Sequence, residues 1–145
     1  MNIEDQLDPQ IYMNVKIFCS QGDELLEKQL YKESISEYNK AWKLIPPPKN
    51  HWNASTWILT AIGDACYLGG FREKGISAFE YVMTCPNAIG NPFIHLRYGQ
   101  LLYDSGDYEH AANELIRAFM AEGEDIFLGE DNKYLDFLKT KADIS

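Results

Sequence analysis

Basic side chains are in deficit in this 145-residue sequence: 13 Lys and Arg stand against 22 Asp and Glu, a formal charge of −9. Such a surface repels nucleic acid and anionic membranes and attracts a basic partner. Cysteine is scarce as well. Cys19, Cys66 and Cys85 are odd in number and lack paired spacing, which excludes a disulfide framework and points to reduced thiols in a cytoplasmic setting. No run of about 18 apolar residues occurs, and residues 1–10 lack the basic end and apolar stretch of a secretion leader. The expectation is a soluble chain that stays where it is made.

Features that carry chemistry are equally sparse. His51, His95 and His110 are dispersed, with no Cys, Asp or Glu at a metal-ligand spacing on one helix face. His95 falls on a face that packs inward and reads as a satisfied buried histidine. Gly69-Gly70 is not followed by Lys-Ser or Lys-Thr, so no phosphate-binding loop is present. Glu122, Glu124, Asp125, Glu130 and Asp131 match no calcium loop and read as a solvated acidic surface. No metal, cofactor or enzymatic activity is expected.

What the sequence does hold is an internal repeat. From Gly99, the residues 12, 16 and 19 places on are Ala111, Leu115 and Ala118; from Gly63 they are Gly75, Phe79 and Val82; from Gly22 they are Ser34, Tyr38 and Ala41. Each unit places a small residue, a large apolar one and a further small or β-branched one on one face of a second helix. The glycines lie 41 and then 36 residues apart, which suits a helical-hairpin unit of roughly 34 residues with loop insertions. The third unit, Gly99 to Ala118, is the clearest: Gly106-Asp107 breaks the apolar pattern, and Asp107 is a natural N-cap for the helix that follows.

These units resemble tetratricopeptide repeats. Gly99, Tyr103, Gly106-Asp107-Tyr108, Ala111 and Ala118 carry the resemblance best. In the first unit Gln29 replaces the turn glycine, while Tyr31, Ser34, Tyr38, Ala41 and Pro46 fall where the family places an aromatic, a small residue, an aromatic, Ala and Pro. In the second, Phe71 arrives one residue early and Gly75 replaces Ala. The resemblance spans about residues 15–123. It implies an all-α, right-handed α-solenoid, a single domain over 1–145 with repeats at about 15–48, 55–86 and 92–123 and a C-terminal capping helix at about 130–142.

Along the chain, residues 1–7 are expected to be loose. Asp8-Pro9 opens a long first helix ending near Gln29, with an apolar face of Ile11, Tyr12, Val15, Phe18, Leu25 and Leu26. A second helix covers Lys32 to Ile45 before Pro46-Pro47-Pro48 stops it. Asn53 reads as a cap for a helix over Ser55 to Leu68, and a fourth runs from Phe71 to Thr84. Asn91-Pro92 opens the fifth, which ends near Ser105. The sixth covers Tyr108 to Ala121, and Tyr134, Leu135 and Leu138 form the stripe of a capping helix over Asp131 to Lys141.

In a stack of such hairpins the first helix of each pair lines a concave side. Positions −6, −3, +1 and +4 from each glycine then face the groove: Lys16, Cys19, Asp23 and Leu26; Trp57, Thr60, Asp64 and Tyr67; Phe93, Leu96, Gln100 and Tyr103, with Arg97 and Asp104 at the edge. From this aromatic and acidic set, the expected partner-binding residues are Asp23, Trp57, Asp64, Tyr67, Phe93, Arg97, Gln100, Tyr103 and Asp104. Co-chaperones of this family hold a peptide C-terminus with Lys, Asn and Arg; the matching places here carry Cys19, Asp23, Ala61, Phe93 and Arg97, and only Arg97 fits. The resulting expectation is a protein-binding module for a basic partner, of the immunity-protein kind that neutralises a toxin, with an adaptor or secretion chaperone as the alternative. Self-association through a concave or terminal face is a further possibility; nucleic acid and membrane are not expected as partners.

Overall fold

A computed structural model describes residues 7–142. Among these residues the fold is all-helical: α1 (Pro9–Glu27), α2 (Tyr31–Leu44), α3 (Asn53–Gly69), α4 (Arg72–Val82), α5 (Pro92–Asp104), α6 (Tyr108–Glu122) and α7 (Asn132–Lys141), with short 3-10 turns at Lys49–His51 and Gly123–Phe127. The helices sort into two compact units, one ending at Ala88 and one beginning at Ile89. No described helix is long and apolar enough to cross a membrane.

Local chemistry sets most of the helix ends. Asp8 accepts from the amides of Gln10 and Ile11 at 2.9 and 3.4 Å, with Pro9 in the first turn of α1. Asn91 accepts from Phe93 and Ile94 at 3.0 and 3.3 Å, again with a proline in the first turn. Asp107 caps α6 through the His110 amide, and Asp131 caps α7 through that of Lys133. Asn53 departs from expectation. It is the first residue of α3, and its side-chain oxygen accepts from Asn87 at 3.2 Å, so it ties a loop rather than capping a helix. Leu7 also departs, being buried ahead of α1; residues 1–6 lie outside the described residues.

The three hairpin turns have the same backbone. Seven residues after each reference glycine stands one with a left-handed conformation: Gln29 (φ 62°), Gly70 (φ 83°) and Gly106 (φ 87°). The next residue, Leu30, Phe71 or Asp107, has φ between −93° and −87° and ψ between 70° and 74°. Its amide reaches back five residues, to Leu25 O, Cys66 O or Leu102 O, at 3.0, 2.8 and 2.9 Å. The second helix of each pair then starts in the same place, at Tyr31, Arg72 or Tyr108. The turn backbone of the second hairpin is therefore in register, and Phe71 does come one residue early: it occupies the N-cap position of Leu30 and Asp107, while Arg72 stands where Tyr31 and Tyr108 begin the other helices.

Packing inside each hairpin repeats too. A Cβ added at Gly22 would lie 2.4 Å from the Tyr38 ring, one at Gly63 2.4 Å from the Phe79 ring, and one at Gly99 2.7 Å from the Leu115 side chain. In all three pairs a glycine of the first helix accepts the large residue 16 positions later. The residues at +12 and +19, Ser34 and Ala41, Gly75 and Val82, Ala111 and Ala118, are buried beside it. In the first hairpin the Ser34 hydroxyl also donates to Gly22 O at 2.8 Å. The repeat read from sequence is thus a repeat of contacts.

In the first unit α1 packs on α2, α2 on α3 and α3 on α4. The insertion between α2 and α3 is closed by its own side chains: Trp52 Nε1 donates to Pro46 O at 2.9 Å, and Lys49 Nζ donates to Trp42 O at 2.5 Å while standing 4.4 Å from the Trp42 ring centre. Burial there lowers the Lys49 pKa. In the second unit α5 packs on α6, and α6 on α7 and on the 3-10 turn at 123–127, which buries Phe127, the apolar centre of that acidic segment. Tyr134 and Leu138 bury the inner stripe of α7.

Two outcomes follow for stability. Gly99→Ala pushes a methyl group onto Leu115 and toward its backbone nitrogen, and costs about 1–3 kcal/mol in chemical denaturation. Gln29→Gly relieves the one non-glycine left-handed turn of the three and raises stability by about 0.5–1 kcal/mol in the same measurement.

Candidate functional site

The expected partner-binding residues fall into two sets, one in each unit. In the second unit α5 offers Phe93, Arg97, Gln100, Tyr103 and Asp104, and the segment from Glu130 to Phe137 lies on four of them. Glu130 Oε1 accepts from Arg97 Nη1 at 2.6 Å and from Gln100 Nε2 at 2.8 Å, while Arg97 also donates to Gln100 Oε1 at 2.8 Å. The Tyr134 hydroxyl donates to the Asp104 carboxylate, 2.9 Å from each oxygen, and Lys133 Nζ stands 3.5 Å from the same group. Tyr103 is enclosed by the rings of Tyr108, Tyr134 and Phe137, with centroids 5.3, 5.5 and 5.0 Å away.

The open groove expected on α5 is therefore corrected at these positions. Gln100 is 0% exposed and Arg97 is buried, because a carboxylate of the chain itself satisfies both. Leu96 is buried as well. Arg97, the one residue suited to holding a carboxylate, does hold one: its own Glu130. Phe93 stays exposed at the start of α5, with the Arg97 guanidinium 5.0 Å from its ring centre. Nothing in the α5 pattern announces this clasp, since its other half lies some 30 residues away in a loop and a short helix.

In the first unit the expected residues are differently placed. Trp57 is 48% exposed and meets the ring edge of Tyr12, centroid to centroid 6.1 Å, and Lys16 Nζ lies 5.3 Å from the Tyr12 centre. Asp23 is exposed, and accepts from the Tyr38 hydroxyl at 2.7 Å. Asp64 and Tyr67 are half-buried on α3, as are Thr60 on α3 and Cys19 and Leu26 on α1. Tyr12, Lys16, Cys19, Asp23 and Leu26 follow one another at helical spacing, so α1 carries an aromatic-to-acidic stripe that continues to Trp57.

Sequence reading missed a second apolar face on α1. Val15 and Gly22 are its buried residues, and Met13 (58% exposed) and Ile17 (47% exposed) lie on a different side of the helix. Together with Tyr12 they form an apolar surface flanked by Lys16, Ser20 and Gln21, and among the described residues no other element lines it. Met13 and Ile17 fall outside the stripe of Val15, Phe18 and Leu25, which was the available signal.

His95 is buried and engaged at both nitrogens. The Gly90 amide donates to Nε2 at 2.8 Å, so Nδ1 carries the proton and donates it to Glu114 Oε1 at 2.7 Å. That arrangement orients a core side chain and leaves neither nitrogen facing solvent. Among the described residues no group of three or more His, Cys, Asp or Glu is placed to hold a metal ion.

The chain matches no protein-family model and no curated protein. What it can do therefore rests on its own surfaces.

The cysteines are free thiols, and burial shapes their chemistry. Burial, with a smaller push from the Asp23 charge, raises Cys19 to about 11; burial raises Cys66 to about 11, slightly offset by Lys74; burial also raises Cys85. A thiol whose pKa is higher in the folded chain than in the unfolded one stabilises the fold below the unfolded value of 9.0 and loses that contribution as the pH rises toward about 11. Stability measured by urea denaturation accordingly falls between these pH values, and Cys19→Ala with Cys66→Ala flattens the fall relative to the parent. At the clasp, Glu130→Ala strands Arg97 and Gln100 and lowers stability by about 2–4 kcal/mol. Tyr134→Phe removes only the bond to Asp104 and costs about 1–2 kcal/mol, read by the same denaturation curves.

Proposed function

We propose that this chain is a cytoplasmic protein-binding module, a right-handed solenoid of three tetratricopeptide-like repeats capped by α7, that engages a basic protein and neutralises it in the manner of an immunity protein. The observation that carries the reading is the surface of the first unit: Tyr12, Met13 and Ile17 are exposed together on α1, flanked by Lys16, Ser20 and Gln21, Trp57 is exposed against the Tyr12 ring, and Asp23 is exposed further along the same helix. Monomeric proteins seldom leave grouped large apolar side chains in water without a partner to cover them. Rigid aromatics supply contact area at little entropic cost, and a net charge of −9 selects and steers a basic partner. The identical turns and glycine contacts of the three hairpins support the repeat reading. Free thiols support a reducing compartment.

Binding rather than catalysis is favoured by the enclosure of His95, the best placed titratable pair being used inside the core. The clasp on α5 narrows the site: Asp23, Trp57, Asp64 and Tyr67 in the first unit, and Phe93 in the second, are the members of the expected set outside it. Arg97 and Gln100 are buried under the segment 130–137 and reach a partner only after it is displaced, whereas Tyr103 and Asp104 are half-buried against it.

The test is capture of a basic protein from the native source at low and raised salt, with Trp57→Ala and Asp23→Lys as separate variants. Expected are retention by the parent, weakening by salt and loss of at least tenfold in affinity with Trp57→Ala, of the size seen for aromatic anchors. Retention unchanged in both variants removes this surface from the mechanism. Adding the module to the captured protein's activity assay separates a neutralising role, in which activity is lost, from an adaptor or chaperone role, in which it survives. Light scattering of the parent alone checks whether the α1 face is covered by a second copy.

A further inference from the structure

On α2 and α4 of the first unit lies a feature opposite in sign to the net charge of the chain. Lys32, Ser36, Asn39 and Lys43 recur along α2 at helical spacing, and with Lys40, Ile35, Phe71 and Lys74 they line a cleft of about 380 Å³. Its lining holds four of the chain's 13 cationic residues and no carboxylate. Lys40 is already paired, with Glu37 at 2.6 Å. For Lys32, Lys43 and Lys74 there is no carboxylate within ion-pair distance among the described residues. Phe71 is the N-cap residue of α4, whose first turn has no side-chain cap and holds both Lys74 and Glu73.

We propose that this cleft binds a small phosphate-bearing ligand with a planar body, of the nucleoside polyphosphate class. Three ammonium groups from two helices line this one cleft, Lys32 and Lys43 spaced along α2 by roughly 16 Å, which suits a ligand with several negative oxygens strung along a chain, because lysine acts as a mobile point charge toward phosphate. Phe71, 39% exposed, and Ile35 give the cleft an apolar wall against which a ring can lie. The volume suits a small ligand. A long polyanion is disfavoured by the charge of −9 that surrounds the site. The site is separate from the α1 face and does not depend on the protein-binding reading.

The experiment is isothermal titration of the full chain with adenosine triphosphate, tripolyphosphate and hexaglutamate. The nucleotide is expected to bind saturably, tripolyphosphate more weakly and hexaglutamate not measurably. The combined Lys32→Gln, Lys43→Gln, Lys74→Gln variant is expected to lose about tenfold or more in nucleotide affinity, whereas Lys139→Gln, at an exposed position on α7 of the second unit, changes nothing. Phe71→Ala should bring the nucleotide down to the level of tripolyphosphate. All substituted positions are exposed, and melting curves verify that each variant is folded. Absence of saturation at millimolar nucleotide, equal binding by the triple-lysine variant, or equal binding of hexaglutamate overturns the proposal.

Discussion

Everything in the hairpins depends on the approach that a missing Cβ permits. At Gly22, Gly63 and Gly99 the first helix of a pair presents bare backbone, and a ring or branched side chain from the second helix fills the space. Close packing of this kind fixes the distance and the rotation of the two helices together, since the large residue must sit over the glycine. The left-handed turn seven residues on then has little freedom left, and its three occurrences share dihedrals and hydrogen bonds despite carrying Gln29, Gly70 and Gly106. Geometry here is set by contacts, and the turn residue adapts to it.

That hierarchy explains what was legible in the sequence. The +12, +16 and +19 pattern could be read because it concerns size at fixed spacing along helices, and helix caps such as Asp8, Asn91 and Asp131 could be read because one side chain serves its own neighbours. Gln29 looked like a departure and is none in backbone terms. Asn53 misled because its amide finds Asn87, a partner 34 residues away that no local rule supplies. The same holds more strongly for the α5 face: helical periodicity placed Arg97, Gln100, Tyr103 and Asp104 on one side correctly, yet could not say that Glu130 and Tyr134 would meet them there.

Charge is distributed with similar economy. The chain is acidic overall, but its carboxylates are not interchangeable: Glu130 and Glu114 are consumed by buried donors, Asp104 by Tyr134 and Lys133, and Asp23 accepts from Tyr38 while remaining exposed. Conversely, four lysines of α2 and α4 line one cleft whose lining includes no carboxylate. A net charge therefore describes the far field of this molecule, while each face has a sign of its own.

The glycine contact has one more consequence, for the order in which the chain acquires its shape. Each joins residues only 16 apart, and the turn between them is stitched by amides reaching back five residues. Such contacts close small loops, whose entropic cost is low, so a hairpin can assemble without waiting for distant segments. The clasp belongs to the opposite regime. It spans about 30 residues and needs α5 already in place. The expected sequence is early formation of three local nuclei and late docking of the C-terminal segment, which makes that segment the first to come away when the protein is perturbed.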